Sequence, residues 1–217
     1  MDVETHVTEI GGYSIELCSV GGEHTSILIP LLNIVFDMGI ILHDTHKFKT
    51  VFITHGHLDH IGSLGLYVGL RNSKNHETST IWAPTAITDK IKALLNSFEL
   101  IDESILSCII HGLDDYGHVK LCNNYVCTSF KTNHKVTSQG YIIWQNKTML
   151  IKELKDQLDA KLITNADIKN LKMAGKAITE SKSFPEIAFT GDTTIDGIYA
   201  DAKRAKILIM EVTYVDD

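Results

Sequence analysis

The densest group of chemically versatile side chains lies in residues 54–60, which read Thr-His-Gly-His-Leu-Asp-His. Three imidazoles and a carboxylate in so short a run are ligands suited to zinc. The run directly follows a β-branched stretch that predicts a strand. Where a strand passes into a turn, alternate residues can face different sides, so His55 and His57 can share one cation while Asp59 and His60 reach a second. The run therefore predicts a metal centre at the end of a strand.

Two later residues fit as the remaining ligands. His134 lies between two predicted strands, and Asp192 follows another predicted strand and Gly191. A carboxylate in such a position can bridge two cations, as a binuclear centre requires. Taken alone, either residue would more often be an ordinary residue of a surface loop. Their interpretation as ligands therefore depends on the run at 54–60.

The elements that must position these residues alternate along the chain. Short β-branched or apolar runs separated by glycine turns are typical of strands, and apolar residues at helical spacing predict helices at 63–70 and 85–100. Many strands with interspersed helices indicate a mixed α/β protein built in layers. The predicted strands are residues 13–20, 25–30, 33–37, 50–54, 81–83, 119–121, 125–130, 140–144, 186–190 and 207–212.

Composition places the chain among single-domain globular proteins. It has 217 residues, of which 44% are hydrophobic and 22% charged, which excludes a disordered or collagen-like chain. No apolar stretch reaches the roughly 20 residues that a membrane-spanning helix needs, and the acidic N-terminus is unlike a signal peptide. We therefore expect an intracellular protein with no membrane association, cytoplasmic or nuclear. The four cysteines form no Cys-x-x-Cys pair and are expected to be free thiols.

The net charge argues against a non-specific nucleic-acid binder. Lys and Arg total 20 against 27 Asp and Glu, a net charge of −7 with neutral histidines, whereas such binders are usually basic. A polyanionic partner would have to contact bound cations or a local basic patch. Residues 147–182 are such a patch, because eight lysines there face five acidic residues. This segment is predicted to be an insertion of one or two helices; an ordinary solvated helical face is the alternative interpretation.

Several stretches together resemble a known family. The pattern His-x-His-x-Asp-His, one later histidine and a strand ending in Gly-Asp-Thr resemble the metallo-β-lactamase superfamily, whose fold is a four-layer αββα sandwich with zinc at one edge. The wider context resembles the short form of ribonuclease Z, the family of tRNA 3′-processing endonucleases. The stretches run in family order from residue 10 to the end, so the resemblance implies one metallo-β-lactamase-like domain over residues 1–217. They are residues 36–39, 52–62, 138–141, 170–172, 188–194 and 210–214.

The resemblance implies a role for each site residue. Two zinc ions would be held by six side chains: His55, His57 and His134 on the first, Asp59 and His60 on the second, and Asp192 on both. Asp59 would also orient and deprotonate the attacking water, Glu211 would support a histidine that protonates the leaving oxygen, and Asp37 would fix a ligand imidazole. The implied activity is removal of the 3′ trailer from precursor tRNA by two-metal hydrolysis of a phosphodiester.

The resemblance also implies RNA contacts and an assembly. The segment 147–182 would form an arm that clamps the tRNA, and phosphate contacts would make that binding salt-dependent. His24 would lie in a loop near the substrate cleft, and a homodimer like that of the relatives is expected. The lysines expected to contact RNA are Lys152, Lys155, Lys169 and Lys172.

The chain departs from the family pattern at its C-terminal end. The family has a histidine loop and a last histidine ligand beyond the Glu-x-Thr segment, and this sequence reaches Asp217 without them. The expectation is a C-terminally truncated sandwich that binds the second zinc weakly and cleaves poorly. The alternatives are a truncated relative that only binds metal or RNA, and a hydrolase of the same fold acting on a thioester or lactam. The ligand set also admits manganese or iron in place of zinc.

Overall fold

The computed structural model describes residues 5–211 and shows two packed β-sheets within them. In the first sheet the strands follow chain order, antiparallel from the first to the fourth and parallel from the fourth to the seventh. They are β1 (His6–Ile10), β2 (Tyr13–Val20), β3 (His24–Ile29), β4 (Ile34–Phe36), β5 (Thr50–Phe52), β6 (Ser79–Pro84) and β7 (Cys108–Leu113). Because β4 and β5 are parallel neighbours, the segments that follow them leave the sheet side by side, at the carboxyl ends of the strands.

The second sheet also follows chain order, and its pairs are antiparallel except for its last one. Its strands are β8 (His118–Lys120), β9 (Tyr125–Lys131), β10 (Gln139–Leu150), β11 (Thr179–Phe189) and β12 (Ile207–Ile209). Both β9 and β11 pair antiparallel with β10, so they run in the same direction. The loops after them, which carry His134 and Asp192, therefore also lie at the same end of their sheet.

The helices are short except for one. They are α1 (Leu58–Ile61), α2 (Leu64–Ser73), α3 (Thr85–Asp102), α4 (Lys152–Asp159), α5 (Asn165–Met173) and α6 (Ala200–Lys203), with 3₁₀ turns at Pro30–Leu32, Thr45–Lys47 and Ile195–Gly197. No helix within residues 5–211 combines the length and the apolar character needed to cross a membrane.

Three apolar clusters define four layers. Alternation along β5 sends Val51 to one face of the first sheet and Phe52 to the other. Val51 belongs to a cluster with Leu64 of α2, whereas Phe52 lies between the sheets with its ring 5.1 Å from that of Tyr141. A third cluster packs Ala202 of α6 on the outer face of the second sheet. Helices cover both outer faces, and the predicted αββα sandwich is confirmed.

Residues 147–182, which we call the arm, project from the second sheet. There β10 and β11 continue as a two-stranded ribbon, paired from Asn146–Ser183 to Leu150–Thr179. The helices α4 and α5 follow, and neither contains a buried residue. The predicted strand ends at 144 and 186 were wrong, because the polar ribbon lacks the apolar alternation on which such a prediction depends.

Other strand boundaries also differ from the predictions. The strands β1 and β7 were not predicted, since the first is exposed throughout and only one of the six residues of the second is buried. The predicted strand 207–212 ends at Ile209. Residues 212–214 of the Glu-x-Thr-Tyr stretch lie outside the described residues.

Candidate metal centre

The site begins with a buried carboxylate after β4. Asp37 is fully buried, and its oxygens accept hydrogen bonds from the Thr54 amide (2.7 Å), the Thr54 hydroxyl (2.8 Å) and His60 Nδ1 (2.7 Å). Because Nδ1 of His60 is engaged by this carboxylate, Nε2 is the ring nitrogen left to bind a ligand. Gly39 allows the following segment to approach α1, since a Cβ there would lie 1.7 Å from the backbone oxygen of Asp59.

Three imidazoles converge next to this anchor, and we call His55, His57 and His134 the imidazole group. His57 Nδ1 lies 2.9 Å from His55 Nε2 and 3.2 Å from His134 Nε2. Tetrahedral zinc with Zn–N bonds of about 2.0–2.1 Å places its ligand nitrogens about 3.3 Å apart. Asp192 Oδ2 lies 3.9 Å from His55 Nε2 and 3.8 Å from His134 Nε2. These four donors fit one cation.

A second set of donors lies beside the first, and we call His60, Asp192 and Glu211 the carboxylate group. His60 Nε2 is 3.3 Å from Asp192 Oδ1 and 3.8 Å from Glu211 Oε2. Among the described residues, His60 Nε2, Asp192 Oδ1 and Glu211 Oε1 are buried side-chain atoms with no hydrogen-bond partner. Such atoms call for a partner, and a divalent cation would supply one. Asp192 therefore presents one oxygen to each group.

Asp59 lies at the border of the carboxylate group. Its Oδ2 is 3.6 Å from His60 Nε2 and accepts a hydrogen bond from the Gly22 amide at 3.1 Å. Asp59 belongs to neither donor group, whereas Glu211, for which the resemblance implies support of a proton donor, lies among the candidate ligands.

Two loops hold the ligands from the second sheet in place. Gly191 has a left-handed φ of +58°, and a Cβ there would lie 2.8 Å from Thr54 Cβ, so a side chain would displace Asp192. The Asn133 amide donates to Thr193 Oγ1 at 3.0 Å and ties the loop of His134 to the loop of Asp192. The two ligands therefore move as one unit.

The two groups carry different charge. Burial, followed by repulsion from His60, lowers the pKa of His55 to about 3, and burial also lowers the pKa of His134. Burial alone would lower the pKa of His60, but the carboxylates of Asp37 and Asp192 outweigh it and raise that pKa to about 11. These are properties of the metal-free protein, in which His60 is an imidazolium at neutral pH.

The pKa values of the two carboxylates in this group, Glu211 and Asp192, are shifted in opposite directions. Burial and then the neighbouring Asp192 carboxylate raise the pKa of Glu211 to about 7. Burial opposes ionisation of Asp192 as well, yet the positive charge of His60, whose Nε2 lies 3.3 Å from Asp192 Oδ1, holds the pKa of Asp192 well below its usual range. The carboxylate group is thus a network of charges that compensate one another.

The donors open into a cleft of about 990 Å³. His57, Asp59, His134, Asp192 and Glu211 line it together with Lys135 and the Gly22 backbone. His24, at the start of β3, lies two residues from that lining. The four lysines predicted to contact RNA are exposed on the arm: Lys152 and Lys155 on α4, and Lys169 and Lys172 on α5.

Sequence reasoning missed several supporting residues. Thr54 orients Asp37, and Thr25 Oγ1 donates to Glu211 Oε2 at 3.4 Å. The position of Thr54, at the end of the predicted strand and directly before the histidines, could have identified it as a supporting residue. Nothing local identifies Thr25, because its contact joins positions 186 residues apart.

A four-layer sandwich with imidazoles and carboxylates at one sheet edge defines the metallo-β-lactamase class of metal-dependent hydrolases. Within it, the chain is 38% identical over 213 residues to tRNase Z TRZ1 of Arabidopsis thaliana, an alignment covering 96% of this chain and 74% of that protein. The chain belongs to the tRNase Z (ribonuclease Z) family.

Other comparisons accompany this match. Nuclear ribonuclease Z of wheat, Triticum aestivum, is 32% identical over 173 residues, covering 80% of this chain and 95% of that protein. Among solved structures, the short form of human tRNase Z superposes with a TM-score of 0.43 at 15% identity, covering 63% of this chain and 60% of that chain. No sequence model of a known protein family matches the chain.

Proposed function

We propose that this chain is a metal-dependent endoribonuclease that removes the 3′ trailer from precursor tRNA. Membership of the tRNase Z family supports the substrate. The observation that carries the chemistry is Asp192, whose two oxygens face two separate donor groups. Two cations about 3.5–4 Å apart, joined by a shared clamp, are the arrangement that two-metal hydrolysis of a phosphodiester uses.

The donor set favours zinc in the imidazole group, since three imidazole nitrogens and a carboxylate suit that ion. Bound cations would acidify water and offset the negative charge of the phosphate. Asp59, held by the Gly22 amide at the wall of the cleft, would orient that water and accept its proton. For Glu211 we propose a ligand role, because its carboxylate shares the buried space of His60 Nε2.

We extend the proposal to binding and assembly. The arm would contact the tRNA phosphates through Lys152, Lys155, Lys169 and Lys172, and the active unit would be a homodimer in the cytoplasm or nucleus. Changing the four arm lysines to alanine should weaken binding of precursor tRNA and flatten its salt dependence, by a slope of about 0.7–0.9 for each phosphate that the arm no longer neutralises. A matched control changes four lysines on the other side of the fold: Lys47, Lys49, Lys74 and Lys92.

The function is tested with purified protein, zinc and a precursor tRNA labelled at its 3′ end. We expect release of the trailer as one fragment, abolished by chelation and by Asp59→Ala. A protein that holds two cations and leaves the precursor uncut contradicts the proposal. In that case, hydrolysis of a chromogenic lactam or a thioester would identify another chemistry of the fold, and binding of uncut precursor would identify an RNA-binding relative.

A further inference from the structure

A second groove adjoins the cleft of the metal centre, since the two share one lining residue. This groove has a volume of about 520 Å³ and is lined by Lys131, Gly197 and Tyr199, while Asn133 lines both the cleft and the groove. Asn133 directly precedes His134, and its side-chain amide donates to Thr194 Oγ1 at 3.0 Å. A strand of nucleic acid with a phosphate at the metal centre would therefore meet this groove with a neighbouring nucleotide.

One exposed tyrosine, Tyr199, lines the groove, and a second, Tyr116, contacts its ring; we call Tyr116 and Tyr199 the tyrosine pair. Their rings meet edge to face with centroids 5.7 Å apart, and Tyr199 also stacks on the buried ring of Phe130 at 5.9 Å. Tyr199 is 36% exposed and Tyr116 is 63% exposed. Phe130 thus supports the pair from the core while the outer aromatic surface faces solvent.

The backbone holds Tyr116 in an uncommon conformation. Its φ is +63°, a left-handed value that bulky residues rarely adopt. The turn is fixed to β9, because the Tyr116 amide donates to the Ser129 carbonyl at 3.1 Å and the Ser129 amide donates to the Gly117 carbonyl at 3.0 Å. Strain that the surrounding structure maintains at an exposed aromatic side chain is typical of binding sites.

We infer that the tyrosine pair is a stacking surface for an unpaired nucleobase next to the scissile phosphodiester. This inference rests on the proposed function and adds to it a subsite for the base. Asp114 and Asp115 adjoin Tyr116 in sequence, and Asp196 and Lys131 line the groove, so three of these four charged side chains are negative and disfavour phosphate. Stacking needs no positive charge, because every base offers a π-face to an aromatic ring. The chemistry of the groove therefore selects the base, and the metal centre selects the phosphate.

The test combines variants of the protein with abasic substrates. Tyr199→Ala and Tyr116→Ala should each raise KM for precursor tRNA about 5- to 30-fold with little change in kcat, the lower part of the range for loss of a stacked base. Tyr199→Phe and Tyr116→Phe keep the ring and should retain the wild-type KM. Leu100→Ala, at an exposed position at the end of α3, is the matched control. An RNA lacking the bases that flank the cleavage site should bind the wild-type protein weakly. The alanine substitutions should not weaken its binding any further.

Each outcome decides the inference. Equal KM values for wild-type and alanine variants on intact RNA overturn it while leaving the proposed function in place. Additive losses from the abasic RNA and the alanine variants overturn it too, because the two changes would then remove different interactions. If the wild-type protein cleaves no precursor, the proposed function fails, and equilibrium binding of the same intact and abasic RNAs to the same variants still tests the tyrosine pair.

Discussion

The imidazole group and the carboxylate group share Asp192 but are built in different ways. In the imidazole group the ring nitrogens already lie at spacings that one cation requires, and burial favours neutral His55 and His134. In the carboxylate group an imidazolium stands in for the cation, balanced by Asp37 and Asp192. The first group is therefore preformed for metal, whereas the second must exchange a proton for it.

The backbone explains part of this difference. An isolated bridge pairs His55 with Ser138, and the Gln139 amide donates to the Thr54 carbonyl at 3.0 Å, so the imidazole group is fixed between the two sheets. The carboxylate group is held by side chains as well as by the backbone, where the Met38 amide donates to the His60 carbonyl at 2.7 Å. His60 is oriented by Asp37, and Glu211 is held by Thr25 through a 3.4 Å hydrogen bond. Substitutions that affect one group and spare the other can test this comparison.

The largest effect is expected where the two groups meet. Asp192→Asn removes the charge that faces both cations, so both should bind more weakly. Loss of an orienting partner of a ligand typically costs about 10- to 100-fold, and we expect loss of a shared ligand to reduce RNA cleavage more than about 100-fold. Metal content and cleavage rate are the measurements. Asp89→Asn, whose side chain is 92% exposed on α3, is the control; a loss confined to one cation would contradict the bridging position.

A smaller and one-sided effect is expected at the anchor. Asp37→Asn keeps the size of the side chain but removes the negative charge that orients the His60 ring and stabilises its protonated form. The carboxylate group should lose about 10- to 100-fold in metal affinity, while the imidazole group retains its own affinity. Cobalt titration followed by absorption spectroscopy distinguishes the two sites. Equal losses at both sites would show that Asp37 supports the whole loop.

The pH dependence should also separate the groups. At pH 7 the carboxylate group must release a proton from His60, whose pKa is about 11, and part of a proton from Glu211, whose pKa is raised to about 7. Its affinity should therefore rise with pH, steeply up to about 7 and then less steeply up to about 11. His55, with a pKa of about 3, has no proton to release. Calorimetry in two buffers of different ionisation enthalpy measures the protons released, and equal release on filling each site would contradict the comparison.

The smallest effect is expected from the support of Glu211. Thr25→Val removes the 3.4 Å hydrogen bond to Glu211 and the 3.0 Å hydrogen bond with Ser19, and it keeps the β-branched shape within β3. A loss of about 0.5–1.5 kcal/mol corresponds to a few-fold weaker second cation and an unchanged first one. The measurement is competition with a chelator, with Thr8→Val on exposed β1 as the control. A larger loss would mean that Thr25 positions more than one carboxylate oxygen.

The sequence predicted the parts of the site that are encoded locally. The run at 54–60 identified four candidate ligands because strand, turn and ligands are contiguous there. The layered α/β class was also predictable, since alternation and apolar runs mark the buried strands, whereas the four-layer sandwich was predicted from the family resemblance. The detailed position of Glu211 was not, because it depends on a contact with His60 across 151 residues of chain.

The elements that the sequence did not predict were missed for one physical reason. The ribbon of the arm and the exposed strand β1 are stabilised by backbone pairing and carry few apolar side chains. A pattern based on burial has no signal there. The tyrosine pair was missed for a related reason: Tyr116 and Tyr199 lie on separate loops that become neighbours only through the packing of Phe130.

The structure of the arm has a consequence for local unfolding, which should be faster in the arm than in the rest of the protein. Its helices contain no fully buried residue: Leu154 and Leu158 of α4 and Ile168 and Leu171 of α5 are half-buried, and a capping box of Thr164 and Asp167 begins α5. Segments with so little apolar contact open with a small free energy of their own, independently of global unfolding. Amide protons of α4 and α5 should therefore exchange with solvent long before those of Tyr141 and Ile143 in the core. Bound tRNA that holds the arm should slow the exchange of the arm selectively and leave the core unchanged.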